Sequence, residues 1–345
     1  MFVARMSSRF LAGVVIAASC LFALAQSHAF PPSSALAGAS YLPPGWLFAL
    51  AVPAVAFCVA VRSRRFALMA TASFLLLVFP FSDFRLRGTF ASRTTAAQRL
   101  TVVALNVQYY AHGLEKVVGA LNRLNADVCL LSENVLDPAG AARADELFAP
   151  RFFRMGRSGE TAIVSRYPIL SFHEIDLPTR QASLSGPNQS VQETAPKRSF
   201  THAILDVHGT PVNVLSLRLI AGRAPEGNLL AQIEWGLYLM RSQRAEVDAF
   251  TRYAATLQGP VIFGGDMNAP PSASAIALLE KKYGDAYLAR HILGKPTFRV
   301  HPTPYLRLDY LFSGRDVPVL ASRRVDVEVS DHFPVWAEFA LPGRP

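Results

Sequence analysis

Five short stretches of this chain each place an oxygen-bearing side chain at or near an apolar run. They are "TVVALN", ending in Asn106; "DVCLLSEN", carrying Glu133; "VIFGGDMN", carrying Asp266 and Asn268; "RLDYLF", carrying Asp309; and "SDHF", carrying Asp331 and His332. Singly they are ordinary. An Asp-X-Asn after a strand caps its own turn, Asp309 alone suits a salt bridge, Glu133 alone a helix cap, and a lone histidine a satisfied surface or core position. Together they supply carboxylate and amide oxygens, the hard donors that suit Mg²⁺, Mn²⁺ or Ca²⁺, and no His or Cys cluster at metal spacing argues for zinc. A histidine that exchanges protons near neutral pH beside such a set is what phosphoester hydrolysis needs.

The elements that must position these groups follow from periodicity. "TVVALN" (Thr101 to Asn106) is rich in β-formers; Leu114, Val117, Val118, Leu121 and Leu124 fall at helical spacing; "DVCLLSE" (Asp127 to Glu133) is a short buried-strand run. A strand, helix, strand unit makes its two strands parallel. Asn106 and Glu133 then share the sheet edge where open α/β sheets bind ligands. Further strands are predicted at "TAIVSRYPIL", "FTHAILDV", "PVNVLSLRL", "GPVIFGG", "LRLDYLF" and "FPVWAEFA", with a long amphipathic helix from about Leu229 to Leu257. Gly264 and Gly265 permit a tight turn or a close approach to the backbone. The polar stretch "TRQASLSGPNQSVQETAPKR" (Thr179 to Arg198) reads as an insertion loop. This order fits a mixed sheet system with helices outside it.

The 345 residues are 51% hydrophobic and 17% charged, too apolar for an ordinary soluble protein. The excess is local. Residues 1–83 hold only Arg5, Arg9, Arg62, Arg64, Arg65 and Asp83 as charges, which leaves 29 Lys/Arg against 24 Asp/Glu in a mildly basic remainder. Three uninterrupted apolar segments, about 10–26, 41–61 and 66–82, each match the length of a membrane-spanning helix. Residues 1–83 are therefore predicted to be a membrane anchor, 84–100 a linker, and 101–345 a catalytic domain. Arginines before the first span and between the second and third put the N-terminus in the cytoplasm and the large domain outside it. If "AQSHA" were instead a signal-peptide cleavage site, the two later spans would leave the domain on the same side. Cys20, Cys58 and Cys129 imply no disulfide framework.

From about Leu100 to Leu341 the series "LNVQ", "LLSEN", "AIVSRYPI", "GGDMNAPP", "RLDYLF" and "SDHFPV" resembles the endonuclease/exonuclease/phosphatase superfamily, the deoxyribonuclease I-like proteins. The resemblance implies a four-layer α/β sandwich: two packed mixed sheets flanked by helices, here preceded by three transmembrane helices. It implies Mg²⁺ or Mn²⁺, with Glu133 as the main metal carboxylate and Asn106 and Asp331 close to the metal. Asp266 would position or deprotonate the attacking water, Asn268 would hydrogen-bond a phosphate oxygen, and His332 would act on the phosphate while Asp309 fixes its tautomer. Many relatives carry a second histidine where this chain has Arg218. A guanidinium there offers a fixed charge and bidentate donors to phosphate, or else marks a site lacking one member.

An anchored domain on the outer face resembles bacterial membrane-bound members of the vancomycin-resistance-associated type, at the inner membrane with a periplasmic catalytic domain. The expected substrate is phosphorylated and lipid-linked, such as a polyprenyl pyrophosphate. The alternatives are an extracytoplasmic DNA or RNA endonuclease, a phospholipid phosphodiesterase, and a membrane-tethered binding protein impaired at Arg218.

Overall fold

The computed structural model describes residues 10–20, 54–57, 59, 64–77, 98–149, 152, 154–180, 197–221, 229–299 and 306–342. Near the N-terminus these include helical residues 10–20 and a helix at Arg64–Leu77. Among the described residues no helix is long and apolar enough to cross a membrane. Much of the expected spans 10–26, 41–61 and 66–82 lies outside the described residues.

The strands are β1 (Gln98–Asn106), β2 (Val128–Ser132), β3 (Arg154–Ser158), β4 (Thr161–Ser165), β5 (Ile169–Arg180), β6 (Lys197–Val207), β7 (Thr210–Ser216), β8 (Val261–Asp266), β9 (Gly284–Asp285), β10 (Asp309–Ser313), β11 (Val319–Arg324) and β12 (Val335–Leu341). The helices that flank them are α1 (Leu114–Leu124), α2 (Pro138–Phe148), α3 (Leu229–Ala254) and α4 (Ser274–Lys282). Among the described residues the strands form two six-stranded sheets, in the orders β11-β12-β1-β2-β4-β3 and β5-β6-β7-β8-β10-β9. Each is mixed, with one parallel pair: β1 with β2 in the first sheet and β7 with β8 in the second.

Alternation along the strands divides the core into three layers. Leu100, Val102 and Ala104 of β1 face Leu205, Val214 and Ile262 of the other sheet. Val103 and Leu105, on the opposite face, pack under Val117, Val118 and Leu121 of α1 and Phe148 of α2. Val247 and Phe250 of α3, with Ile276 and Leu279 of α4, cover Leu215, Phe263 and Phe312 on the far side of the second sheet. Helix, sheet, sheet, helix is thus the layer order.

Several boundaries differ from those read off the sequence, and "TAIVSRYPIL", read as one strand, divides into β4 of the first sheet and the edge strand β5 of the second. β1 begins at Gln98 rather than Thr101, because Gln98, Arg99 and Leu100 pair with Leu341, Ala340 and Phe339 of β12. The polar stretch 179–198 is loop in its expected sense only within 181–196, outside the described residues; Thr179 and Arg180 end β5, and Lys197 and Arg198 open β6. The sequence reading also missed α2, whose weakly periodic Ala-rich segment starts with Asp137 accepting a bond from Gly140 N at 2.7 Å and Pro138 in the first turn.

Hydrogen bonds tie the two sheets together at one edge. Ser216 Oγ donates to Leu131 O at 3.2 Å, and Asp266 N donates to Ser132 Oγ at 3.3 Å. Gly265 has φ +137°, and a Cβ there would collide with Leu217 O and lie 3.1 Å from Ser132 Oγ. Gly265→Ala should therefore cost about 3 kcal/mol or more. A fall in the urea midpoint at unchanged m-value checks this.

Candidate active site

Strand register brings the sequence-derived residues to that same edge. Asn106 pairs with Ser132 at the end of the parallel β1/β2 ladder, which puts Glu133 one residue beyond. Asp309 lies opposite Asp266 in the β8/β10 ladder. Leu217 N and Leu219 N donate to Gly264 O and Asp266 O, carrying the β7/β8 pairing past Ser216 and setting Arg218 beside Asp266. His332 bridges to Phe298, whose ring centroid is 4.7 Å from its own.

Asp266 is buried and held at both oxygens: Asn106 Nδ2 donates to Oδ2 at 2.9 Å, and Asn268 N donates to Oδ1 at 2.9 Å. That contact joins the first sheet to the second. Asn268, at φ +45°, sends its own Nδ2 to Leu219 O at 3.0 Å. His332 Nδ1–H donates to Asp309 Oδ2 at 2.7 Å, which leaves Nε2 as the ring's working nitrogen. Burial opposes a charge on His332, but Asp309, Asp266 and Asp331 outweigh it and push its pKa up to about 10. Burial pushes Asp309 up to about 6 while His332 pulls it down. Asp331 is half-buried, its carboxylate accepting from Ser330 Oγ at 3.2 Å and its N–H donating to Gln108 Oε1 at 3.4 Å.

The backbone at this edge is strained in the way functional sites often are. Gln108, Tyr109 and Tyr110 have φ of 49°, 50° and 58°, and Glu133 has φ 55°. Gln108 N donates to Asn106 Oδ1 at 2.9 Å and Tyr109 N to Glu133 O at 3.2 Å, tying the left-handed turn to the site.

Arg218 is the centre of the charge pattern. Its Nη2 lies 2.6 Å from Glu133 Oε1 and its Nη1 2.7 Å from Glu160 Oε2. Its Nε, buried without a hydrogen-bond partner, is 4.0 Å from Asp266 Oδ2. Arg198 continues the chain inward: Nη1 to Glu160 Oε2 at 3.1 Å, Nε to Glu246 Oε1 at 2.9 Å, and Nη2 to the Arg218 carbonyl at 2.7 Å. Thr179 Oγ1 also donates to Glu246 Oε1 and Ile220 N to its Oε2, while Gln243 on the same helix holds Ile220 O and Asn268 O. The sequence reading missed Glu160, Arg198, Glu246 and Tyr109. Tyr109, Glu160, Arg198 and Arg218, with Val135 and Lys197, line a cleft of about 320 Å³ running out from the edge.

The sequence profile of the Endonuclease/Exonuclease/phosphatase family matches residues 103–332. The chain belongs to this family. Comparison with curated protein sequences gives no match. Among solved structures, humanized D. rerio TDP2 superposes with TM-score 0.54 at 17% identity, covering 70% of this chain and 98% of that one. A conserved protein from Enterococcus faecalis V583 gives 0.53 at 18%, covering 70% and 100%. An endonuclease/exonuclease/phosphatase from Bacteroides vulgatus gives 0.53 at 13%, covering 71% and 100%. At these identities the likeness is one of fold. As a family member the chain is a hydrolase of phosphoester bonds, and the family works with divalent metal ions.

The donor set suits such an ion. Among the described residues, Glu133, Glu160, Asp266, Asp309 and Asp331 outnumber the cations paired with them, since Arg198 is also matched by Glu246 and the others are Arg218 and His332. A divalent cation bound through Glu133, Asn106 and Asp331 would offset the surplus with hard oxygen ligands.

Two outcomes follow from these contacts. Arg198→Met leaves Glu246 buried and without its main counter-charge, and burial already pushes the Glu246 pKa up. The variant should lose about 3–5 kcal/mol in denaturant titration. For His332, a folded pKa near 10 lies above the unfolded value of about 6.5. Its charge thus stabilises the fold fully below the lower value and progressively less as pH rises through the upper one. In metal-free buffer the stability gap between wild type and His332→Gln should narrow from pH 7 to 10; a gap that widens contradicts the assignment.

Proposed function

We propose that this protein is a membrane-anchored, divalent-metal-dependent phosphoester hydrolase acting outside the cytoplasm on phosphorylated lipid-linked substrates such as a polyprenyl pyrophosphate. The observation that carries the phosphate reading is the buried Arg218 guanidinium, with an unpartnered Nε at 4.0 Å from Asp266. A phosphoryl oxygen drawn up to this guanidinium would meet a donor already in place.

In this reading Glu133, Asn106 and Asp331 hold Mg²⁺ or Mn²⁺, which when bound offsets charge developing on the phosphate oxygens. Asp266 accepts the proton of the attacking water, its oxygens aimed by Asn106 Nδ2 and Asn268 N. Asn268, whose Nδ2 already donates to Leu219 O, would give its second amide hydrogen to a phosphate oxygen. His332, oriented through Nδ1 by Asp309, presents Nε2–H to the phosphate or the leaving oxygen. Arg218 holds charge but moves no proton, so proton return to the leaving group falls to His332 or to solvent.

The lipid-linked part of the reading rests on residues 1–83. Their three apolar segments and arginine placement favour an anchor with the domain outside, where lipid-borne phosphates are at hand and chromosomal DNA is not. A nuclease reading has one observation in its favour: D. rerio TDP2, of the same fold, has been seen with a single-strand DNA product.

Full-length protein in detergent, with Mg²⁺, should turn over polyprenyl pyrophosphate faster than a phospholipid, a generic phosphodiester or plasmid DNA. A clear preference for DNA sinks the proposal. His332→Ala should lower the rate roughly 100- to 10,000-fold, and Glu133→Ala should abolish it while unfolding stays cooperative. In vesicles, protease added from the periplasmic side, and not from the cytoplasmic side, should digest the domain.

A further inference from the structure

We propose that Arg218 occupies the place of a second divalent cation, so that the site takes one metal ion rather than two. The inference rests on the metal-dependent reading above and goes beyond it by assigning the metal number and the residue that sets it.

The guanidinium lies between the two carboxylates that a pair of ions would share. Nη2 is 2.6 Å from Glu133 Oε1, and Nε faces Asp266 Oδ2 at 4.0 Å. Paired catalytic ions sit roughly 3.5–4 Å apart and bridge such carboxylates. Here the planar group fills that interval, and its positive charge repels a second cation at contact distance.

Nor can Arg218 swing aside freely. Its side chain is only 7% exposed, Nη1 is bound by Glu160 at 2.7 Å, and Arg198 grips its carbonyl at 2.7 Å.

A different position for a second ion is also engaged. Asp266, Asp309 and His332 bring ligand atoms within 4.8 Å of one another. Yet both Asp266 oxygens accept amide hydrogens, and His332 Nδ1 is bonded to Asp309 Oδ2. Asp309 Oδ1 is buried without a hydrogen-bond partner, but one such oxygen is not a set of ligands.

The consequence is chemical. A second ion supplies a positive charge that depends on metal concentration and can carry a bound water. Arg218 supplies a charge that is permanent, directional and without ligand exchange. Glu160 then becomes a positioning residue: its carboxylate keeps the guanidinium between Glu133 and Asp266.

The test counts ions. Full-length protein in detergent is titrated with Mn²⁺ alone, with free Mn²⁺ followed by electron paramagnetic resonance and heat by calorimetry. Wild type should bind one Mn²⁺, Glu133→Ala none above background, and Arg218→Ser two. Arg218→Lys, which keeps a charge at the position, should stay at one. Glu160→Gln frees the guanidinium for Glu133 and should weaken the single site at least severalfold. It also serves as the probe if Arg218→Ser does not fold. Two ions in wild type, a single ion in Arg218→Ser, or an unchanged affinity in Glu160→Gln overturns the inference while leaving the hydrolase reading in place. No ion in wild type removes the metal-dependent reading itself.

Discussion

The reacting edge depends on how closely the end of β8 comes to the end of β2. Over most of their area the two sheets are held apart by interleaved aliphatic side chains, the usual separation being about 10 Å. At Gly265 no side chain intervenes, and Ser132 and Ser216 close the gap with hydrogen bonds in place of methyl groups. Asn106 of one sheet can then reach Asp266 of the other at 2.9 Å. These cross-sheet bonds put Glu133 and Asp266 on one surface, where a single guanidinium faces both.

That proximity creates an electrostatic problem that the fold solves with a line of alternating charges. Glu133, Arg218, Glu160, Arg198 and Glu246 run from the cleft to the buried face of α3. Taking such groups out of water is costly, and an incomplete pair costs more than none. The line ends well because α3 presents Glu246 and Gln243 one turn apart. Glu246 accepts from Ile220 N, and Gln243 donates to the carbonyls of Ile220 and Asn268. The helix therefore fixes the two segments that carry Arg218 and Asp266, and the donors stand ready before any substrate arrives.

Much of this was legible in the sequence, and what was not has a common cause. Strand period and the parallel β1/β2 unit are local patterns, and they put Asn106 and Glu133 on one edge; the grouping of Asp266, Asp309 and His332 with them rested on the family resemblance. Glu160 sits in the β3/β4 hairpin and Arg198 near the start of β6, where a charged residue reads as a solvated turn or a loop end. Their meaning lies in partners 38 to 58 positions away. No periodicity encodes such a pairing. The early start of β1 escaped for the same reason, since only the β12 register shows that Gln98 to Leu100 are ladder residues.

The direction of β1 bears on what the site can reach. β1 is a central strand that enters the domain at Gln98 and delivers Asn106 to the reacting edge, so the two ends of the site's own strand lie roughly 30 Å apart at the usual rise. In the proposed topology the chain leaves the membrane near residue 83, and the entry point of the domain is the end opposite the site. Upright on a short stalk, the cleft would face away from the bilayer. The intervening residues 84–97 can span up to about 45 Å when extended, enough for the domain to tip and bring the cleft to the headgroup layer. In the proposed topology a tether of that reach would confine the domain to a thin shell above the membrane, which would raise the effective concentration of lipid-borne phosphate at the cleft and do little for a polymer free in solution.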